Sequence, residues 1–196
     1  APICSFDPIG STTINKDSVL DLFEMLSKNQ IILMPTTNSA YGTGDKNNFC
    51  DENSKLNPIS NYAKDKVFIE EQLISKNNYI SFRLATVFGI SPRMRLDLLV
   101  NDFVYRAVND KFIVLFESHF KRNYIHVRDV AEVFLYSITN YENMKNQIYN
   151  VGLTEANLSK SDLCKYIQNH IEDFKYFEDS YSIRKFLCQI SLPFWE

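Results

Sequence analysis

The sequence predicts an α/β protein built around a parallel β-sheet. Short apolar runs that suit buried strands alternate with amphipathic stretches that suit helices along most of the 196 residues, which is typical of this fold class. The composition, with 45% hydrophobic and 23% charged residues, is that of a globular domain large enough to bury a core of its own. The sequence contains no internal repeat and no low-complexity segment.

The first clear elements are a helix at 17–26 and a buried strand at 30–34, which Pro35 is expected to end. A second helix is expected to start at Pro58 with Asn57 as its cap, because the N–H that proline lacks would be unpaired at that position. It continues through Leu73, which places Tyr62 and Lys66 one turn apart on one face.

The later elements continue the alternation of strands and helices. The strand after the second helix is rich in β-branched and aromatic residues and is followed by Gly89, and Ser159 is a suitable cap for the last helix. Strands are predicted at 79–88, 112–116, 123–127 and 147–151, and helices at 98–108, 129–141 and 159–170. The tail at 176–196 has no periodic pattern, so no element is predicted there.

Composition also excludes several classes of function. A net charge of −3 and a pI near 5.7 argue against a general nucleic-acid binder, which would carry a basic face. No apolar run approaches the roughly 18 residues of a membrane span, and the first residues lack the pattern of a signal peptide. A cytoplasmic protein is therefore expected. Four scattered cysteines without a C-x-x-C pair and three isolated histidines predict neither a disulfide nor a metal site.

The pattern Tyr-x-x-x-Lys, which can move a proton on or off a sugar hydroxyl, occurs three times. Tyr141 and Lys145 fall at the end of a predicted helix, and Tyr181 and Lys185 fall in the unpatterned tail. Only the pair Tyr62 and Lys66 begins a helix that follows a strand ending in hydroxyl residues, and ligands bind at strand ends in open α/β sheets. This pair is therefore the predicted catalytic pair.

Six segments extend this pattern along the chain, and their order and separations are specific although each is loose by itself. They are Ile14-Asn15, 36–42 (TTNSAYG), 62–66 (YAKDK), 82–89 (FRLATVFG), 121–131 (KRNYIHVRDVA) and 149–152 (YNVG). With these segments the chain resembles the extended short-chain dehydrogenase/reductase family of nucleotide-sugar epimerases and dehydratases, from residue 1 to about residue 165. The resemblance implies a Rossmann-like parallel sheet with a small α+β part that binds substrate.

For catalysis, the resemblance implies roles for Thr37, Tyr62 and Lys66. Tyr62 would be the general base or acid at the sugar oxygen. Lys66 would favour the deprotonated form of Tyr62 by placing a positive charge nearby, and it would also bind the nicotinamide ribose. The hydroxyl of Thr37 would hold the same sugar oxygen in place.

For the cofactor, NAD or NADP, the resemblance implies contacts from Tyr62 and Lys66, from Ala1 after the family's fourth strand, and from Asn15, which would order the loop on the cofactor side. Thr86 is also expected to bind the cofactor. It stands at a position where many relatives carry an Asn that contacts the sugar or the diphosphate. The family's glycine-rich turn, G-x-x-G-x-x-G, is formed by none of the five glycines. The chain is therefore expected to be a segment without the N-terminal strands of the cofactor domain, and to bind NAD poorly and be inactive alone.

For the nucleotide-sugar substrate, the resemblance implies that Arg122 grips the diphosphate and that Phe116 packs on the base. The alternatives are a surface salt bridge for Arg122 and plain core packing for Phe116. Arg95 lies with Arg93 and Asp97 in a loop after a strand end. These three residues would either clamp a phosphate and a sugar hydroxyl or form a surface ion pair, and the sequence favours neither.

The reaction type depends on Asn38 and Ser39. Sugar 4,6-dehydratases carry an acid and a base at these two positions to expel water, whereas neither residue here exchanges a proton near neutral pH. An epimerase that works by transient oxidation is therefore the favoured hypothesis, with a reductase, a decarboxylase and then a dehydratase behind it. A non-catalytic protein that keeps the binding shape and dimerises is the alternative of a different class.

The resemblance also implies a division into domains and a homodimer. Residues 1–90 would be the later part of the dinucleotide-binding domain, 91–175 would bind the substrate among late elements of that domain, and 176–196 are unassigned. Helices near 17–28 and 58–75 would pair across a two-fold axis to give a homodimer.

Overall fold

The computed structural model describes residues 2–43 and 50–178, with the side chains of Pro2 and Ile3 excepted. Its contacts divide the chain into two compact units. The first comprises the residues up to Val87 together with Arg128–Gly152, and the second comprises Phe88–Val127 and the described residues from Leu153 onward.

The first unit contains a three-stranded parallel sheet with helices packed on it. Its elements in chain order are α1 (Pro2–Phe6), α2 (Pro8–Thr12), a π-helix (Thr13–Asp17), α3 (Ser18–Met25), β1 (Ile32–Thr37), a 3₁₀ helix (Asn38–Tyr41), α4 (Asn61–Ile74), β2 (Tyr79–Leu84), β3 (Thr86–Phe88, which ends in the second unit), α6 (Val127–Thr139), α7 (Tyr141–Met144) and β6 (Gln147–Val151). The sheet order is β1-β2-β6, and every pair is parallel. The predicted α/β class with a parallel sheet is therefore confirmed.

The register of this sheet places the chemically important strand ends together. Thr37 of β1 lies opposite Leu84 of β2, and Leu84 lies opposite Val151 of β6. A buried apolar cluster of Phe23, Met34, Ile69, Leu73 and Tyr79 packs α3 and α4 onto the sheet. Ile69 and Leu73 of α4 are fully buried in this cluster, so core packing holds α4 against the sheet.

The second unit combines helices with short strand pairs. Its elements are α5 (Leu99–Asn109), β4 (Phe112–Leu115), β5 (Lys121–His126), a 3₁₀ helix (Thr154–Ala156), β7 (Asn157–Ser159), α8 (Lys160–Gln168) and β8 (Lys175–Glu178). β4 and β8 are parallel, whereas β5 and β7 are antiparallel. Their core contains Phe103, Leu115, Leu163 and Phe174.

Several predicted boundaries are wrong, each for a local reason. Pro35 lies inside β1, which is hydrogen-bonded to β2 alone among the described residues, and a proline is tolerated in a strand bonded on one side. The second helix begins at Asn61 rather than Pro58, because the Ser60 hydroxyl caps it by accepting from the Ala63 N–H at 3.2 Å. The Asn57 N–H instead donates to the Ala40 carbonyl at 2.9 Å.

Other differences concern breaks and additions. The strand predicted at 79–88 breaks at Ala85, whose N–H donates to the Val151 carbonyl at 2.8 Å. α6 begins two residues before Asp129, which is therefore a first-turn residue whose carboxylate suits the N-terminal N–H groups. The sequence pattern missed β8, a short strand at the start of the tail that pairs with β4 about sixty residues earlier. The rest of the tail, 179–196, lies outside the described residues.

Candidate active site

Tyr62 and Lys66 lie one turn apart near the start of α4. The Ser60 cap fixes where the helix begins, and both side chains are half-buried. The Lys66 Nζ lies 5.9 Å from the centroid of the Tyr62 ring, within reach of a cation–π interaction. The structure thus brings the predicted pair together on one helix face.

The environment of Lys66 changes the proton affinity of its amine. Burial lowers the pKa of Lys66 below its ordinary value, and the negative charge of Asp65 opposes this shift. The Asp65 carboxylate is itself buried and accepts a hydrogen bond from the Thr12 hydroxyl of α2 at 3.1 Å. An amine that releases its proton more readily than a solvated lysine suits a group that relays protons.

Thr37 is the last residue of β1 and the cap of the 3₁₀ helix that follows. Its buried hydroxyl oxygen accepts from the Ser39 N–H at 3.1 Å, so the hydroxyl hydrogen remains available as a donor. α4 packs against both β1 and this 3₁₀ helix, and Thr37 stands where these two elements join. Asn38 and Ser39 form the first turn of the 3₁₀ helix, and neither carries an acid.

A polar cluster around the buried side chains of Tyr41, Glu70 and Arg83 connects these elements, and sequence reasoning missed it. We call it the polar hub, and it consists of these three residues with the half-buried Asn150 and the exposed Glu52, whose backbone carbonyl accepts from Arg83. Arg83 and Glu70 form an ion pair with 2.5 Å between Nη2 and Oε1, and each side chain is only 4% exposed. The one sequence signal was Glu70 itself, an acidic residue one turn beyond Lys66 on a helix face that packs on the sheet.

Charge and burial set the protonation of the hub. Burial lowers the pKa of Arg83, but hydrogen bonds to Glu70 and Tyr41 outweigh it and raise the pKa, so Arg83 stays cationic. Burial also raises the pKa of Tyr41, against the opposing effect of Arg83, so the Tyr41 hydroxyl stays neutral.

The predicted cofactor residues have different positions. Asn15 lies in the π-helix, which packs against α4, and its Nδ2 donates to the Ser11 carbonyl at 2.9 Å. Thr86 is the half-buried first residue of β3. Ala1 lies outside the described residues.

Of the predicted substrate residues, Thr37 belongs to the first unit, whereas Arg95, Phe116 and Arg122 belong to the second. Arg95 pairs with Asp97, with 3.0 Å between Nε and Oδ1, so the ion-pair alternative is present in the structure. The hydrogen bond from Arg95 lowers the pKa of Asp97. Asn101 fixes this loop, since it accepts from the Gly89 N–H at 3.2 Å and donates to the Arg95 carbonyl at 2.9 Å.

Arg122 and Phe116 both present their side chains toward solvent. Arg122 is an exposed residue of β5, and it has no carboxylate within 4 Å in the described part of the chain. Phe116 follows β4 and is 42% exposed, so it is not a buried core residue. Lys160 holds the Phe116 segment by donating from Nζ to the Phe116 carbonyl at 2.7 Å.

The other Tyr-x-x-x-Lys pairs lack the geometry of an active site. Tyr141 is buried at the start of α7, while Lys145 beyond its end pairs with Glu142 at 2.6 Å. Tyr181 and Lys185 lie outside the described residues. Within the described ranges, no group of three or more His, Cys, Asp or Glu side chains could hold a metal ion. None of the helices in these ranges combines the length and the apolar composition of a membrane span.

The residues present fit one end of a dinucleotide. A half-buried lysine beside a tyrosine suits the nicotinamide ribose, whereas Gly42 and Gly89 have positive φ angles in local turns. Gly42 has φ +68° with the Asn57 carbonyl 2.3 Å from where a Cβ would lie, and Gly89 has φ +125° beside His126. Gly44 lies outside the described residues. The pyrophosphate-binding turn is absent from these 196 residues.

A parallel α/β sheet, a hydroxyl at one strand end and a Tyr-x-x-x-Lys pair on the next helix together define the short-chain dehydrogenase/reductase class. Within that class, the family described as NAD dependent epimerase/dehydratase matches residues 6–152. The chain belongs to this family, which confirms the resemblance drawn from the sequence.

Several known proteins are similar to this chain. A putative UDP-glucose 4-epimerase of Methanocaldococcus jannaschii is 25% identical over 177 residues, which cover 84% of this chain and 55% of the relative. The UDP-glucose 4-epimerase of Thermotoga maritima, solved with UDP-glucose, superposes with a TM-score of 0.75 at 23% identity over 92% of this chain and 61% of that one. RMD from Pseudomonas aeruginosa, complexed with NADPH, gives a TM-score of 0.75 at 16% identity, covering 91% and 65%.

The solved structures are less than 25% identical to this chain, so they show a shared fold. The chain spans about half the length of the curated relatives that it matches, 42% and 55% of two of them.

Proposed function

We propose that this chain carries the catalytic pair of an NAD- or NADP-dependent nucleotide-sugar epimerase that works by transient oxidation of a sugar hydroxyl. The observation that carries the proposal is the half-buried Tyr62–Lys66 pair on α4, which packs beside the Thr37 strand end. A chain without a catalytic role would have no physical need to keep all three groups, so an enzyme is favoured over a non-catalytic dimerising protein.

The three side chains have distinct tasks. Thr37 donates its remaining hydroxyl hydrogen to the sugar oxygen and fixes its position. Tyr62 takes the hydroxyl proton during oxidation and returns it after the keto-sugar has rotated, while the Lys66 cation favours the deprotonated form of Tyr62. A bound nicotinamide supplies the hydride acceptor, and later the hydride donor, for this cycle.

Epimerisation is favoured over dehydration because elimination of water needs an acid and a base beside Thr37. Asn38 and Ser39 occupy those positions, and the nearby carboxylates of α4 are already engaged. Asp65 bonds to Thr12 and Glu70 pairs with Arg83. A reductase or a decarboxylase of the same family remains the second candidate, since neither needs the elimination step.

The catalytic assignment is tested with Tyr62→Phe in the whole protein, supplied with NAD or NADP and a panel of nucleotide sugars. Removal of the phenolic hydroxyl is expected to lower kcat about 10²–10⁴-fold, which is the usual contribution of general acid–base catalysis. Tyr136→Phe, an exposed tyrosine on α6, is the matched control and should retain activity. Unchanged conversion by Tyr62→Phe would refute the assignment.

We assign the cofactor role to the first unit and substrate recognition to the second, through Arg95, Phe116 and Arg122. Because the glycine-rich turn is not among these residues, the 196-residue chain alone should bind NAD and NADP weakly and be inactive. Isothermal calorimetry of the chain with each dinucleotide tests this claim. Micromolar binding would contradict it.

We further propose a homodimer formed through α3 and α4. Both helices expose large apolar side chains, including Leu22, Met25, Phe68 and Ile74, that a second copy would cover. Sedimentation should show a dimer that Met25→Asp with Ile74→Asp converts to a monomer, whereas Ile138→Asp on α6 should not. A sedimentation coefficient unaffected by the double substitution would exclude this interface.

The cytoplasm is the proposed location. Cys4, Cys50 and Cys164 are all free thiols, as expected for a reducing compartment.

A further inference from the structure

Both carboxylate oxygens of Glu70 accept several hydrogen bonds. Its Oε1 accepts from Arg83 Nε at 3.0 Å and Nη2 at 2.5 Å. Its Oε2 accepts from the hydroxyls of Thr36 at 3.1 Å and Ser81 at 2.9 Å. One carboxylate on α4 therefore holds both strands beneath the helix, and its contact on β1 is the residue directly before Thr37.

Arg83 extends the same network to the segments that follow Thr37. Its Nη1 donates to the Tyr41 hydroxyl at 2.7 Å and to the Glu52 carbonyl at 3.1 Å. Tyr41 ends the 3₁₀ helix that Thr37 caps, and its hydroxyl donates onward to Asn150 Oδ1 at 2.7 Å. The planar guanidinium thus links α4, the 3₁₀ helix and β6 with fixed directions.

Stability alone does not account for an ion pair at this place. Well-packed apolar side chains of similar volume usually replace a buried ion pair without loss of stability. What an apolar pair cannot supply is directional bonding at fixed distances between the helix with Tyr62 and Lys66 and the strand end with Thr37. A misplacement of about 1 Å between reacting groups can cost about 100-fold in rate.

We propose that Glu70 and Arg83 are positioning residues, which hold the Tyr62–Lys66 helix in a fixed register against Thr37 and the 3₁₀ helix. The proposal rests on the function proposed above. It assigns a task to a buried pair that touches neither the substrate nor the reacting atoms.

The test is the double substitution Glu70→Met with Arg83→Met in the whole protein, which removes both charges and keeps the volume apolar. The variant should fold with native circular dichroism, and its kcat should fall about 100-fold while KM changes less than about threefold. Asp102→Met with Arg106→Met, an exposed ion pair on α5, is the matched control and should leave both constants unchanged.

A second variant and a second readout keep the test decisive. Arg83→Lys retains the charge opposite Glu70 but cannot also reach Tyr41 and Glu52, so it should lower kcat while the protein stays folded even if the double variant does not. In either variant, ¹³C-lysine NMR of the 196-residue chain should show Lys66 titrating closer to an ordinary lysine, because a displaced α4 would lose the burial that lowers its pKa.

The NMR readout needs no turnover, so the two proposals can fail separately. Full activity in Tyr62→Phe would overturn the proposed function and leave the titration of Lys66 to decide the positioning role. Folded Arg83→Lys with an unchanged Lys66 titration and an unchanged kcat would overturn the positioning role alone.

Discussion

The two units each contain an arginine paired with a carboxylate at 2.5 Å, in opposite surroundings. In the first unit, the side chains of Arg83 and Glu70 are each 4% exposed and are bonded on every side. In the second unit, those of Arg95 and Asp97 are 51% and 48% exposed and lie in a surface loop. The same chemistry therefore has two consequences, since a buried pair fixes structure whereas an exposed pair contributes little to it.

The difference follows from solvent. Water screens the exposed pair, so its charges interact weakly and either partner can turn to water instead. The buried pair has no such alternative, because removal of either partner would leave a charge without compensation. The comparison can be tested by removing partners in order of their burial.

The largest effect is expected from Glu70→Ala, which leaves the Arg83 guanidinium buried without its carboxylate. The free energy of unfolding should fall by about 3–5 kcal/mol. Urea denaturation of the 196-residue chain measures the change, and the apolar double variant of Glu70 and Arg83 should restore most of it. A loss below about 1 kcal/mol would mean that the pair behaves like the exposed one.

A smaller loss is expected from Tyr41→Phe, which removes a single hydroxyl from the hub. Asn150 Oδ1 would lose its donor while Arg83 Nη1 would still donate to the Glu52 carbonyl. The cost should be about 1–3 kcal/mol, as for one buried polar group left unsatisfied. Tyr136→Phe is the control in the same denaturation assay. Equal free energies of unfolding for the two variants would show that the Tyr41 hydroxyl does not stabilise the hub.

Removal of the exposed pair, with Arg95→Gln and Asp97→Asn, should change the free energy of unfolding by less than about 1 kcal/mol. Since Arg95 lowers the folded-state pKa of Asp97, this contribution is complete above the ordinary aspartate pKa near 4. It is lost as the pH falls through the lower folded value. Parallel denaturation curves at pH 7 and in acid check the sign, and a larger difference in acid would contradict it.

The smallest change in stability is expected from Asp65→Asn. This substitution should, however, shift the pKa of Lys66 in a defined direction. Asp65 is buried, and its carboxylate accepts a hydrogen bond from the Thr12 hydroxyl. Loss of its charge should lower the pKa of Lys66 further, since Asp65 is the charge that opposes the effect of burial. NMR titration of Lys66 measures the shift, and Lys64→Gln on the exposed face of α4 is the control. A rise in the Lys66 pKa would overturn this account.

The features that the sequence predicted also differ between the two units. The parallel sheet, α4 and the choice of Tyr62 with Lys66 followed from periodicity and from the order of the elements. The start of α4 did not, because Asn57 and Ser60 are both capable caps and a backbone bond from Asn57 to Ala40 decides between them. The sequence did not predict β8, because its four residues show no alternating pattern. They form a strand by pairing with β4.

The sequence by itself determined the fold class, the family and the position of the proposed catalytic pair, because helix and strand periodicities and local motif spacing are properties of neighbouring residues. The tertiary structure alone decided that Glu70 and Arg83 meet, that Arg83 reaches Tyr41 across 42 residues of chain, and that Lys66 is buried enough to lower its pKa. These properties depend on which distant groups share a volume from which water is excluded. Hydrogen bonding and charge acquire their strength only there.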